Sequence, residues 1–179
     1  MGAWGTGVFD DDLACEVRET YRDVLAEGVS AEQARDMTLQ YWAEIMEDDD
    51  AAVVIWLALA VSQWKAGRLD DLTRCRAIAV IETEAALRAW KDDPKGLRRR
   101  QSVLEKVRQQ LLSPQPPPVR IRKRFRDTCD WQRGELIAYR MRSGTNVVLR
   151  VVGHHTDRGG TSPVFEVLDC AGQVVPPGR

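Results

Sequence analysis

A chain of 179 residues, 44% hydrophobic and 30% charged, fits one ordinary domain or two small ones and is too apolar to be disordered throughout. Its longest apolar run, 51–61, falls well short of the roughly 20 residues that cross a bilayer, and no basic, apolar and small-residue leader opens it, so the expectation is a cytoplasmic protein with no membrane contact. The net charge of −1 hides a gradient: residues 1–50 carry −11, residues 51–112 carry +5 and residues 113–179 carry +5, an asymmetry that points to charged partners or to segments facing each other.

The opening Gly2, Gly5 and Gly7 interleave with Trp4 and Phe9 ahead of Asp10-Asp11-Asp12. Glycines allow close backbone approaches, so the aromatics are expected to fold back as a structural plug while an aspartate caps the first helix. That helix is expected from about Asp12 to Glu27, with Leu13, Val17, Tyr21 and Val24/Leu25 on its inner face. A second starts at Ser30 with Gln33 in a capping box, buries Ala34, Thr38, Tyr41/Trp42 and Ile45, and ends near Met46. The third, about Ala51 to Ala66, is apolar on every side through Val61 and reads as the central helix, stopped by Gly67. The opening, together with Val54-Ile55-Trp56-Leu57-Ala58-Leu59-Ala60-Val61-Ser62-Gln63-Trp64-Lys65-Ala66-Gly67-Arg68-Leu69, resembles a family of uncharacterised bacterial proteins that begin MGAWG-x-G-x-F-x-x-D. The resemblance covers roughly residues 1–90 and implies no activity, cofactor or site residue.

A fourth helix is expected from Asp70 or Asp71 to about Lys91, and a fifth after Asp93-Pro94, carrying Leu97, Val103/Leu104, Val107 and Leu111. Trp42, Trp56, Trp64, Trp90, Tyr21 and Tyr41 are expected mostly in the core, and Arg98-Arg99-Arg100 solvated. Ser113-Pro114-Gln115-Pro116-Pro117-Pro118 cannot continue a helix and reads as a linker. Beyond it, five short strands are expected at about Val119–Arg126, Glu135–Met141, Asn146–Gly153, Val164–Leu168 and Gln173–Val175, with tight turns at Ser143-Gly144-Thr145 and Cys170-Ala171-Gly172 and a long mobile loop from His154 to Ser162. The expected fold is α+β: a five-helix bundle over 1–112, a proline-rich linker over 113–118 and a small five-stranded SH3-like or OB-like barrel over 119–179.

Few motifs carry chemistry. The glycine-rich opening lacks the Gly-Lys-Ser/Thr of a Walker loop and the preceding strand of a dinucleotide fingerprint. Cys15, Cys75, Cys129 and Cys170 have no close pairs, which suits free thiols, and His154 and His155 combine with Cys129 or Cys170 in no spacing typical of zinc or of a nucleophilic pair. No catalytic residue, metal ligand or cofactor is assigned, and the chain is read as a non-enzyme.

Asp10, Asp11 and Asp12, with Glu47, Asp48, Asp49 and Asp50, stand where helices begin; beyond capping, they form an acidic surface suited to a basic protein partner, as in an immunity or adaptor protein. One alternative is nucleic-acid binding through Arg120, Arg122, Lys123, Arg124, Arg126, Arg140 and Arg142 on the barrel, with Phe125 among them. A second alternative is a metal-dependent hydrolase, should the aspartates converge with Glu44 and Glu47.

Overall fold

Every α-helix in the first half of the molecule starts on a capping side chain, which is why the sequence breaks where it does. In the structure, a computed structural model that describes residues 5–157 and 159–168, Asp11 accepts from the Ala14 N–H at 3.1 Å and opens α1 (Asp12–Ala26). Ser30 and Gln33 cap α2 (Ala31–Tyr41) reciprocally. Asp48 accepts from Ala51 N–H at 2.8 Å to open α3 (Asp49–Lys65), and Asp70 accepts from Thr73 N–H at 2.9 Å to open α4 (Asp71–Glu82). Asp93 precedes Pro94 at the start of α5 (Pro94–Leu112), where a missing proline N–H costs nothing. These carboxylates both satisfy orphan N–H groups and sit at the positive end of the helix dipole.

The all-round apolar character of α3 makes it the axis of this unit. Its Ile55, Ala58 and Leu59 join Val17, Tyr21 and Leu25 of α1 and Ala34 of α2, while Val53, Leu57, Ala60 and Val61 join Ala77 of α4 and Leu104, Val107 and Leu111 of α5. Val8 and Phe9 from the opening pack against both clusters. Ile55, Leu57 and Leu59 are fully buried, and each contributes about 1.5–3 kcal/mol by leaving water. A partly buried polar staple starts from the same helix: the buried Gln63 donates to Asp70 Oδ2 at 2.9 Å, and Arg35 of α2 reaches Asp70 Oδ1 at 3.3 Å.

The fourth expected helix breaks early. Thr83 turns its hydroxyl back onto the Ala79 carbonyl at 2.7 Å, Glu84 adopts left-handed φ of 55°, and Ala85–Trp90 continues as a 3-10 helix. The second helix likewise ends at Tyr41, and Ile45–Glu47 is a separate 3-10 turn.

The chain separates into two units, one ending at Arg124 and the other beginning at Phe125. The proline-rich stretch and residues 119–124 of the expected first strand therefore belong with the helices. Gln115 reproduces a strand-like pairing with its side chain, accepting from Leu69 N–H at 2.7 Å and donating to Leu69 O at 3.5 Å. Val119 donates to Ala66 O at 3.0 Å and accepts from Arg68 Nη1 at 2.7 Å, and Ile121 packs against the α1–α3 core. Gly67 is required here: its φ is 67°, and a Cβ would collide with the Pro116 and Pro117 backbone. We refer to 113–124 as the strap.

The second unit corrects the barrel expectation. Among the described residues it is an open, three-stranded antiparallel sheet in the order β1 (Leu136–Arg140), β2 (Asn146–Asp157), β3 (Gly160–Leu168). The segment 119–126 supplies no strand because Val119, Lys123 and Arg124 find their partners on the helical unit, and the fifth expected strand, with the Cys170-Ala171-Gly172 turn, lies outside the described residues. Three strands cannot close into a barrel. The expected loop from His154 to Ser162 is instead mostly ladder: His154 pairs with Pro163, His155 with Ser162 and Thr156 with Thr161, with a bulge between Val151 and Gly153. Asp127 bridges to this hairpin end, accepting from Thr161 N–H at 2.8 Å, and Gly160 at φ 129° leaves the room that a Cβ would take from the Asp127 backbone. The turn at Ser143-Gly144-Thr145 closes β1 onto β2.

Candidate functional site

Two features of the helical unit stand out, and both grow from the ends of helices. The first lies under the glycine opening. Asp10 folds back to accept from Gly7 N–H at 2.9 Å, and Gly5 and Gly7 are the residues whose missing Cβ lets that carboxylate in. Phe9 is held between Arg18, 4.8 Å from its ring centre, and Lys65 at 5.1 Å. Trp4 lies outside the described residues. The opening is more than a plug: Gly5, Gly7 and Val8 wall an open cavity of about 570 Å3 shared with the start of α3, the Ala85–Trp90 turn and Arg100.

Arg100 is the residue that sequence reasoning missed. Its neighbours Arg98 and Arg99 are exposed, as the basic run predicts, but Arg100 is only 7% exposed and donates from Nη1 to Thr6 O at 3.0 Å and Gly7 O at 3.1 Å. Burial pulls its guanidinium below its ordinary pKa, against the countervailing pull of Asp11 and Asp10. Its Nε–H finds no acceptor among the described residues, a state that costs about 1–3 kcal/mol. The signal was present: Leu97, Arg100, Leu104, Val107 and Leu111 share one helical stripe, and charge alone kept Arg100 off the expected inner face.

The second feature is the acidic run between α2 and α3. Of the residues expected to bind a partner, Asp48 is engaged as a cap, Asp49 and Asp50 lie 3.9 and 3.8 Å from Arg88, and Glu47 is exposed. Asp10 and Asp11 are tied to the backbone, whereas Asp12 is exposed on the first turn of α1. Beside the run stand three exposed large apolar side chains, two of which, Tyr41 and Ile45, amphipathic spacing places inward. Tyr41 is 65% exposed, Met37 one turn before it 49%, and Ile45 37%. Tyr41 and Ile45 are thus corrected from core to surface. The inner face of α2 is met by Ala34 and Thr38, and the helix stops at Tyr41, so Trp42 turns in while Tyr41 stays out, edge-on to it at 5.0 Å.

The basic residues divide. Lys123 pairs with Glu27 at 2.6 Å, and Arg124 pairs with Glu19 and, at 3.3 Å, with Asp23, so this part of the strap lies on the acidic face of α1. Arg120 and Arg122 instead border a cavity of about 560 Å3 with Arg68 and Lys123. Arg126, Arg140 and Arg142 belong to the sheet unit and are exposed. His154 meets the Trp131 carbonyl at 2.8 Å and His155 stands 3.8 Å from Asp157. Cys15 donates to Phe9 O at 3.2 Å, and Cys15, Cys75 and Cys129 are free thiols; Cys170 is outside the described residues. Among the described residues no three His, Cys, Asp or Glu side chains gather closely enough to hold a metal ion, and no helix is long and apolar enough to cross a membrane.

No family model matches the chain, and neither a curated protein nor a solved structure matches it.

Proposed function

We propose that the protein is a non-enzymatic binding protein that captures a basic protein partner through the acidic, apolar-centred surface at the end of α2 and the start of α3, in the manner of an immunity or adaptor protein. The observation that carries this reading is the juxtaposition of exposed Met37, Tyr41 and Ile45 with exposed Asp36, Glu44, Glu47, Asp48 and Asp49. Aromatic and methionine side chains anchor protein interfaces, and a charged rim steers the approach and selects a partner of opposite sign. The test is affinity capture at low salt, with identification of what is retained. The expected partner has net positive charge, is released as ionic strength rises from about 0.05 to about 0.5 M, and is lost with Tyr41→Ala and with the Glu44→Lys/Glu47→Lys pair. Retention of acidic proteins only, or retention indifferent to both variants, overturns it.

One observation favours a second reading, nucleic-acid binding. The cavity bordered by Arg68, Arg120 and Arg122, with Lys123 paired to Glu27 beside them, gathers guanidinium groups without an acidic lining residue, and phosphate is a fitting occupant. Gel-shift titration with single- and double-stranded probes at two salt concentrations is expected to show a steep loss of affinity with salt, and an Arg120→Ala/Arg122→Ala variant a shallower slope. The absence of a shift at low salt removes this reading.

A further inference from the structure

The cavity under the glycine opening, about 570 Å3, has buried Leu13, Val53, Leu57 and Ala86 in its walls. Of its described wall residues three are exposed, Ile45, Asp50 and Ala89, and these mark its mouth. Ile45 belongs to the exposed apolar group with Met37 and Tyr41, and Asp50 to the acidic run, so the cavity is continuous with the surface at the end of α2 and the start of α3. The charge presented at the mouth is acidic. The Asp49 and Asp50 side chains are 89% and 66% exposed, and Arg88, 3.9 and 3.8 Å away and itself half-exposed, makes only a solvated surface pair with them. The one cation in the wall, Arg100, is buried with Nη1 on the Thr6 and Gly7 carbonyls.

We propose that this cavity receives a large apolar side chain, aromatic or branched, carried on a Lys- or Arg-flanked segment of the partner protein. An open cavity keeps apolar wall against water, and a side chain that enters it removes that surface from solvent along with its own. A residue seated in such a pocket and ringed by weaker contacts is the form that the dominant anchor of a protein interface takes. The acidic mouth favours cationic neighbours on either side of the anchor, and exposed Tyr41 and Met37 extend the contact beyond the pocket. The pocket's role rests on the protein-binding reading and names the anchor that reading needs.

Three end-blocked pentapeptides, Lys-Lys-Trp-Lys-Lys, Lys-Lys-Ala-Lys-Lys and Glu-Glu-Trp-Glu-Glu, are titrated into the full chain, with affinity and location read from methyl NMR shifts. The lysine–tryptophan peptide is expected to bind at least about tenfold more tightly than either of the others and to shift the Val53, Val54 and Leu57 methyls in the cavity wall. Ala89→Phe, at an exposed wall position, is expected to fill the mouth and remove the tryptophan's advantage with the thermal midpoint unchanged. Equal affinity of the tryptophan and alanine peptides, shifts away from the cavity, or indifference to Ala89→Phe overturns the pocket and leaves the protein-binding reading standing. Equal affinity of the lysine and glutamate peptides overturns that reading's choice of a basic partner, and the pocket's role with it. Binding that appears only with Trp4→Ala means that the chain's own opening fills the space, and it overturns the pocket too.

Discussion

Asp70 concentrates several jobs in one carboxylate. It caps α4 and draws Arg35, Gln63 and Thr73 together. Burial pushes its carboxyl upward, but the Thr73 N–H, the Gln63 amide, the Thr73 hydroxyl and the Arg35 charge together outweigh that push and hold it below the ordinary carboxylate value. A depressed folded-state value means that the unfolded chain binds the proton first as pH falls. The stabilisation is therefore complete above the unfolded value near 4 and is lost as pH drops through the lower folded one. Asp70→Asn, which retains the cap, is expected to cost about 1–3 kcal/mol at neutral pH and to converge on the parent as pH falls below the folded-state value. Urea denaturation at a series of pH values checks this, and parallel curves for the two proteins refute it.

The helices, taken as elements, were largely written in the chain, because each start is a local event: Asp11, Ser30, Asp48, Asp70 and Asp93 cap where their chemistry says they should. What escaped was decided over longer range. Thr83 and Glu84 interrupt a stretch that looks helical residue by residue, and the expected strand over 119–126 looks extended and ladder-ready until Glu19, Asp23 and Glu27 supply partners for Lys123 and Arg124. For the candidate sites, the acidic run and basic stretch were visible, but the exposure of Tyr41 and the burial of Arg100 depend on which neighbour claims the inner face. The central helix itself was legible, and it offers a direct measure of packing. Leu57→Ala removes a fully buried side chain from the α3–α5 cluster and is expected to destabilise by about 2–5 kcal/mol with secondary structure retained, as read by chemical denaturation. A loss below about 0.5 kcal/mol would mean that the cluster is not close-packed at that point.

At the scale of the whole molecule, the strap redraws the border between the units. A fragment ending at residue 112 keeps all five α-helices but discards the Gln115–Leu69 pairing, the Ile121 contact and the Lys123 and Arg124 ion pairs, whereas one ending at residue 124 keeps them. The longer fragment is expected to be more stable by roughly 2–4 kcal/mol, the sum of modest hydrogen-bond, apolar and surface-charge contributions, and part of that advantage should fade in high salt. Equal midpoints in denaturant would show the strap to be energetically idle.

The same ribbon has a mechanical implication. Because the polypeptide runs from the helices through residues 113–124 into the sheet, a tug from the sheet's side reaches Arg124 and Lys123 first, then Val119, and Gln115 last. Fasteners loaded one after another yield at lower force than fasteners loaded together, so the ribbon would peel like a zip. The core around α3 would still be intact when the last tooth lets go.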